Sequence, residues 1–141
     1  MKILILCTGN SCRSQMAHGF MKHFNRHLEV FSAGVHPASR VMPETVQVMA
    51  EKDIDISDHV PRHVYDYLND PFDYVITVCD HANETCPLFP GEVKHRLHMP
   101  FPDPIHAQGG FKKRLEAYRE VRDAIEKRFL EFYRKEVEPQ L

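Results

Sequence analysis

An α/β fold, a single domain built on a small parallel sheet, is what this chain predicts, and three observations carry the prediction. Short apolar runs alternate with segments of helical period. The most apolar run, "FDYVITVCD", reads as a strand covered on both faces. A tight polar corner, "CTGNSC", joins the first strand to the first helix. The 141 residues lie within the usual range of about 100–200 for one domain, and no repeat, linker or low-complexity tract divides them, so residues 1–141 are read as one unit.

The elements follow in order. Lys2–Leu6 is a short buried strand. Beyond the corner at Cys7–Ser11, residues 13–28 place Met16, Phe20, Met21, Phe24 and Leu28 at helical spacing. Residues 29–34, "EVFSAG", form a second strand ending at Gly34. Residues 42–53 form a helix with Pro43 in the first turn, where the missing N–H has no partner to lose. Residues 63–68 suggest a short helix, and the third and fourth strands cover 72–80 and 93–99. Residues 111–135 make a long terminal helix with Leu115, Tyr118, Val121, Ile125, Phe129 and Phe132 on one stripe. This alternation implies right-handed crossovers and a parallel sheet of about four strands, flanked by helices. Such sheets bind ligands at the carboxyl ends of their strands, here in the corner at 7–13 and the loops after Cys79 and Met99.

Composition excludes several classes of function. Eighteen basic residues stand against twenty acidic ones, a net charge of −2, and no basic patch interleaved with aromatics appears, so nucleic acid is not an expected partner. The N-terminal apolar run covers only Ile3 to Leu6, short of the about 7–15 residues of a signal segment and the about 20 of a membrane span. The expected location is the cytoplasm, with no membrane association. Thiols stay reduced there, so the four cysteines are candidates for catalysis, redox chemistry or metal binding, not structural disulfides.

The corner carries the chemistry. A glycine-containing turn from strand into helix points backbone N–H groups inward, and the helix N-terminus adds partial positive charge, which together make an anion cradle from Thr8, Gly9, Asn10, Ser11 and Cys12. Arg13 closes it with a planar fork suited to tetrahedral oxyanions. The same field favours a thiolate, and cysteines so placed have pKa values of about 3.5–7.5. Cys7 is therefore expected to be ionised and aimed at the bound anion, with Ser14 able to donate its hydroxyl to the sulfur. The plainer alternative makes Cys7 a buried thiol and Arg13 a surface residue. The strand before, the helix after and the small residues between favour the nucleophile.

"CTGNSCRSQMA" resembles the phosphate-binding loop of the low-molecular-weight protein tyrosine phosphatase superfamily, and within it the thioredoxin-coupled arsenate reductase branch. The resemblance spans most of the chain: residues 7–17, "SAG" at 32–34, "DIDIS" at 53–57, "VITVCDHANETCP" at 75–87, "DP" at 103–104 and "VRDAI" at 121–125. It implies the phosphatase-like α/β fold, Cys7 as nucleophile, Arg13 as oxyanion clamp, Asp103 as general acid, Asn10 as the residue that holds the loop in shape and Ser14 as the group that lowers the thiolate pKa. Asp103 also makes sense from chemistry alone. Pro100, Pro102 and Pro104 stiffen its loop, and a carboxylic acid that protonates a departing oxygen accelerates such displacements by about 10²–10⁴-fold. By itself the same Asp-Pro reads as a turn.

Cys79 and Cys86 separate the two branches. Phosphoester hydrolysis needs one thiol, whereas reducing arsenate to arsenite consumes two electrons. The resemblance implies a relay: Cys7 attacks arsenic, Cys79 attacks Cys7 and arsenite leaves, and Cys86 attacks Cys79, giving a Cys79–Cys86 disulfide that thioredoxin reduces. The polar run from Asp80 to Thr85 is then expected to be mobile. Arsenate and thioredoxin are the expected partners, a monomer the expected state, and no bound cofactor or metal is expected. The runner-up is a phosphatase acting on phosphotyrosine or small phosphoesters, with Cys79 and Cys86 as redox protection; a non-catalytic oxyanion or redox sensor is a third. Neither C-x4-C at 7/12 nor C-x6-C at 79/86 suits zinc, and His23 and His27, four apart, sit among Lys22 and Arg26 on what reads as a solvated helix face. Cys12 reads as a packing residue. By the same resemblance, members that bind potassium carry acidic residues at the positions of His18 and Arg62, so no potassium requirement is expected here. Phosphatases place an aromatic after the Asp-Pro, where this chain has Ile105-His106-Ala107.

Overall fold

Ile3, Leu4, Ile5 and Leu6 are each completely buried, which a strand achieves only with neighbours on both edges and cover on both faces. In the computed structural model, which describes residues 1–86 and 89–141, this strand, β1 (Lys2–Cys7), lies inside a single four-stranded sheet. The others are β2 (Glu29–Gly34), β3 (Phe72–Thr77) and β4 (Val93–His98), in the order β2-β1-β3-β4, all parallel. Ile3 sits opposite Val30 on one side and Tyr74 on the other. The chain turns outward in opposite directions from β1, so the carboxyl ends of β1 and β3 form the switch point at which such sheets bind ligands. β4 is an edge strand whose exposed Lys94 and Arg96 discourage further pairing.

The helices are α1 (Arg13–Phe24), α2 (Pro43–Ala50), α3 (Asp80–Thr85) and α4 (Phe111–Phe132), with 3₁₀ turns at Val64–Tyr67 and Pro104–His106. The stripe expected on the terminal helix is buried throughout, from Leu115 to Phe132, and packs α4 against α1 and α2. The α4 turns continue through Tyr133–Val137 in a wider, π-type winding. A clamp joins α4 to α2: Arg119 meets Glu51 at 2.7 Å, and the buried Arg122 meets both Glu51 and the Val48 carbonyl, at 2.7 and 2.9 Å. Hydrogen bonds from Arg119, then Arg122, pull the Glu51 carboxyl down to about 2.

Several boundaries differ from the sequence reading, three of them instructively. α1 stops at Phe24 because Asn25 turns extended, although Leu28 is still buried. α2 ends before Asp53, which adopts the left-handed conformation at φ 60°. The expected third strand stops at Thr77, and the polar run after Cys79, anticipated as a mobile loop, is wound as α3. Its six residues are too few to persist as an isolated helix, so contacts with the rest of the molecule hold it. Pro87, at the end of the motif "VITVCDHANETCP", lies outside the described residues. Among those described, no helix is long and apolar enough to cross a membrane.

Candidate active site

The loop from Cys7 to Ser14 takes its shape from what seizes its carbonyls. The Cys7, Thr8, Gly9 and Ser11 carbonyls accept from the amides of Val35, His36, Ala38 and Met42, at 3.2, 2.9, 2.8 and 2.9 Å. The segment after β2 thus runs along the outside of the loop and takes up its acceptors, the arrangement that leaves amides for the concave side. The Thr8 amide reaches the Cys7 sulfur. Contact is so close that a Cβ on Gly34 would lie 2.4 Å from the Thr8 oxygen, which explains why the second strand ends in glycine.

Asn10 is the keystone of the far side. It is fully buried and left-handed at φ 52°, a conformation that asparagine tolerates better than most residues. Its Nδ2 donates to Ser14 Oγ at 2.7 Å, and its Oδ1 accepts from the Arg62 amide and Gln15 Nε2, at 2.9 and 3.1 Å. Gln15 Oε1 is in turn 2.8 Å from His59 Nδ1. This network supports the loop-shaping role expected of Asn10, and it enlists Gln15 and His59, which sequence reasoning assigned no part, and Arg62, which it weighed only for potassium. Partners 44 and 52 positions apart leave no local signal. Behind them is a cavity of about 300 Å³ lined by Gln15, His18, Ser32, His59 and Arg62. Burial, with His59 4.7 Å away ring to ring, pushes His18 down to about 3, so it is neutral.

Arg13 opens α1 beneath the loop. Its guanidinium donates to the Phe101 carbonyl at 3.0 Å and to Asp103 Oδ2 at 3.2 Å. Among the described residues its buried Nε meets no acceptor, an unused donor of the kind an oxyanion would satisfy. Asp103 also accepts from the Ile105 amide at 3.0 Å, so it both caps the Asp-Pro turn and faces the guanidinium. Cys12 is buried, and burial pushes its thiol up to about 12, so this sulfur is inert packing and only its backbone can serve a ligand.

Cys79 arrives from the neighbouring strand end. Its sulfur sits beside that of Cys7, lies 3.3 Å from Thr8 Oγ1, and accepts the Ala82 amide at 3.4 Å as the N-cap of α3. These donors, with Cys7 first among them, lower the Cys79 pKa. Cys7 moves the opposite way because its proton bridges to Cys79 and because it is buried, against the pull of Arg13 and the Thr8 amide. The two sulfurs are therefore coupled, and each acts directly on the other's ionisation. Ser14 Oγ accepts from Asn10, which leaves its own hydroxyl proton to give. The structure thus gathers Cys7, Arg13, Asp103 and Cys79, while Cys86 lies at the other end of α3, half-buried, where Arg96 bonds to its sulfur. Cys7, Cys12 and Cys79 are not in disulfides.

Residues 2–140 match the family model described as low molecular weight phosphotyrosine protein phosphatase. The chain is 44% identical over 131 residues to an arsenate reductase of Shouchella clausii (strain KSM-K16), covering 92% of this chain and 93% of that one. Among solved structures it is similar to an arsenate reductase in the phosphate binding state, at 30% identity and TM-score 0.76, covering 95% of this chain and 97% of the other. It is also similar to a thioredoxin-dependent arsenate reductase of Corynebacterium glutamicum, at 28% identity and TM-score 0.70, covering 94% of this chain and 60% of that one. With the loop, the sheet order and these matches in agreement, the chain belongs to the low-molecular-weight phosphotyrosine phosphatase family.

Proposed function

We propose that this protein reduces arsenate to arsenite with electrons from its own thiols, which thioredoxin restores. The observation that carries the reading is the placement of Cys79 at the loop, its sulfur 3.3 Å from Thr8 Oγ1 and beside that of Cys7, because hydrolysis has no use for a second sulfur next to the nucleophile. Arsenate enters the loop, engages the amides and draws Arg13 from Asp103. The Cys7 sulfur forms a bond to arsenic as one arsenate hydroxyl leaves as water; the thiol's own proton completes that water, handed on by Asp103 once arsenate has drawn Arg13 from its carboxylate. Cys79, as the thiolate, attacks the Cys7 sulfur. An S–S bond forms and the S–As bond breaks with its electron pair kept by arsenic, so As(V) becomes As(III) and the two sulfurs are oxidised together. Cys86 then attacks Cys79, expelling the Cys7 thiolate and leaving a Cys79–Cys86 disulfide for the dithiol of thioredoxin.

This last step requires movement. Cys79 and Cys86 cap opposite ends of α3, and seven residues of helix span about 10 Å, beyond the Cα separation of about 4–7 Å that a disulfide permits. α3 must unwind, so the wound helix is the reduced, waiting form. A phosphatase is the second reading, supported by the family and by the sufficiency of Cys7, Arg13 and Asp103 for phosphoester hydrolysis.

Single-turnover arsenate reactions, followed by thiol blocking and mass mapping of disulfides, test the proposal. Cys86→Ser is expected to release one arsenite per protein and stall with a Cys7–Cys79 bridge, and Cys79→Ser to release almost none. Both should still hydrolyse a phosphoester. Full multiple turnover by Cys79→Ser would overturn the relay.

A further inference from the structure

α3 has a clasp outside the loop. Asp80, its first residue, lies 2.9 Å from Nε2 of His98 at the end of β4. Nδ1 of the same ring is 2.8 Å from the hydroxyl of Thr77 at the end of β3, and that hydroxyl is 3.3 Å from Asn83 Oδ1 in the second turn of α3. One imidazole thus ties two points of a six-residue helix to two strand ends. Ala82 is the only α3 residue that is buried, so little apolar packing would hold the helix without these ties. Nothing in the relay as derived above uses His98.

We propose that His98 is a positioning residue of the relay: it keeps α3 wound, and grips harder when protonated. Neutral imidazole has a single N–H. Giving it to Asp80 leaves Nδ1 as an acceptor that claims the Thr77 proton. Imidazolium donates from both nitrogens, makes the Asp80 contact a true ion pair, and frees the Thr77 hydroxyl to donate to Asn83. Unwinding breaks all of these contacts, so protonation of His98 opposes the opening through which Cys86 reaches Cys79. This rests on the relay proposed above. Asp80 is, among the described residues, the charged side chain within ion-pair distance of His98. A second imidazole contact on α3, His81 against His36 with rings 5.8 Å apart, has the opposite sense, because two imidazolium rings repel.

Two measurements on the full chain test the role, each comparing the native protein with His98→Gln and Asp80→Asn at matched pH, which cancels the contributions of His36, His81 and the thiols. The first is amide hydrogen exchange of α3 in the reduced protein without arsenate, corrected for intrinsic rates. Over about pH 6 to 8, where histidines change charge, opening of native α3 should become about threefold rarer toward the acid end relative to His98→Gln, the effect of one modest ion pair and hydrogen bond. The second is the rate at which a Cys7–Cys79 disulfide, formed by one equivalent of arsenate, converts to Cys79–Cys86. His98→Gln should convert about threefold faster than native protein near pH 6, with the gap closing near pH 8, and Asp80→Asn should follow it. If the native bridge forms but neither rate depends on His98 in a pH-dependent way, the clasp is overturned. If no Cys79–Cys86 bridge forms in the native protein, the relay itself falls, and with it the role given to His98.

Discussion

Residues 7–14 and residues 79–86 both follow strand ends and both present a sulfur to the same site, yet they are secured differently. The loop is over-determined: outer carbonyls taken by four amides, Asn10 bonded on three sides, Gly34 pressed against its backbone. α3 rests on a cap, one buried alanine and a few side-chain ties. An oxyanion site gains from donors that need no reorganisation when charge develops, whereas a thiol that must travel gains from an element that opens at little cost. Rigidity and release are divided between neighbouring strand ends.

The largest expected effect comes from within the rigid half. Cys7→Ser should abolish arsenate reduction and phosphoester hydrolysis together, since a hydroxyl there lacks a base able to ionise it; a variant retaining either activity above background would break the division. Asp103→Asn should slow the first chemical step by about 10²-fold or more in single-turnover kinetics. It should not weaken oxyanion binding, because the carboxylate occupies the guanidinium that the anion needs. Next is a paired insult. Gly34→Ala forces a Cβ into the Thr8 carbonyl and should lower unfolding stability by about 1–3 kcal/mol while weakening phosphate binding. Thr85→Gly, on an exposed position of α3, should cost about 1 kcal/mol or less and spare phosphoester hydrolysis. Denaturant unfolding and phosphate titration would compare them, and equal damage from both would erase the contrast.

The smallest effect belongs to the α2–α4 clamp, which touches neither region. The folded Glu51 value of about 2 lies below its ordinary 4.5, so its contribution is complete above about pH 4.5 and disappears as pH falls toward 2. Glu51→Gln should lower the melting temperature by about 1–4 °C at neutral pH and converge with the native protein in acid.

The parts legible in advance were those governed by local rules. Continuous burial marked β1 and β3, the 3.6-residue stripe marked α4, and the corner between strand and helix marked the cradle with Cys7 and Arg13. α3 was missed because "DHANET" has no apolar period and its winding depends on Thr77 and His98, one from each of two strands. The pairing of Cys7 with Cys79 was not legible because sequence spacing cannot say that two sulfurs 72 positions apart lie side by side.

The central place of β1 has a further consequence, which belongs to synthesis. The first strand made is the one that must wait longest for its second neighbour, since Ile3 pairs with Tyr74. Until residues 72–77 emerge, an apolar edge of β1 has no strand beside it, and the loop lacks the Arg62 amide that pins Asn10. A partly made chain therefore carries Cys7 in an unpinned loop, with neither the Arg62 tie nor the Cys79 sulfur beside it. The shaped loop and the paired thiols are acquired together, late, in the step that closes the sheet, so the unfinished chain presents Cys7 without its redox partner.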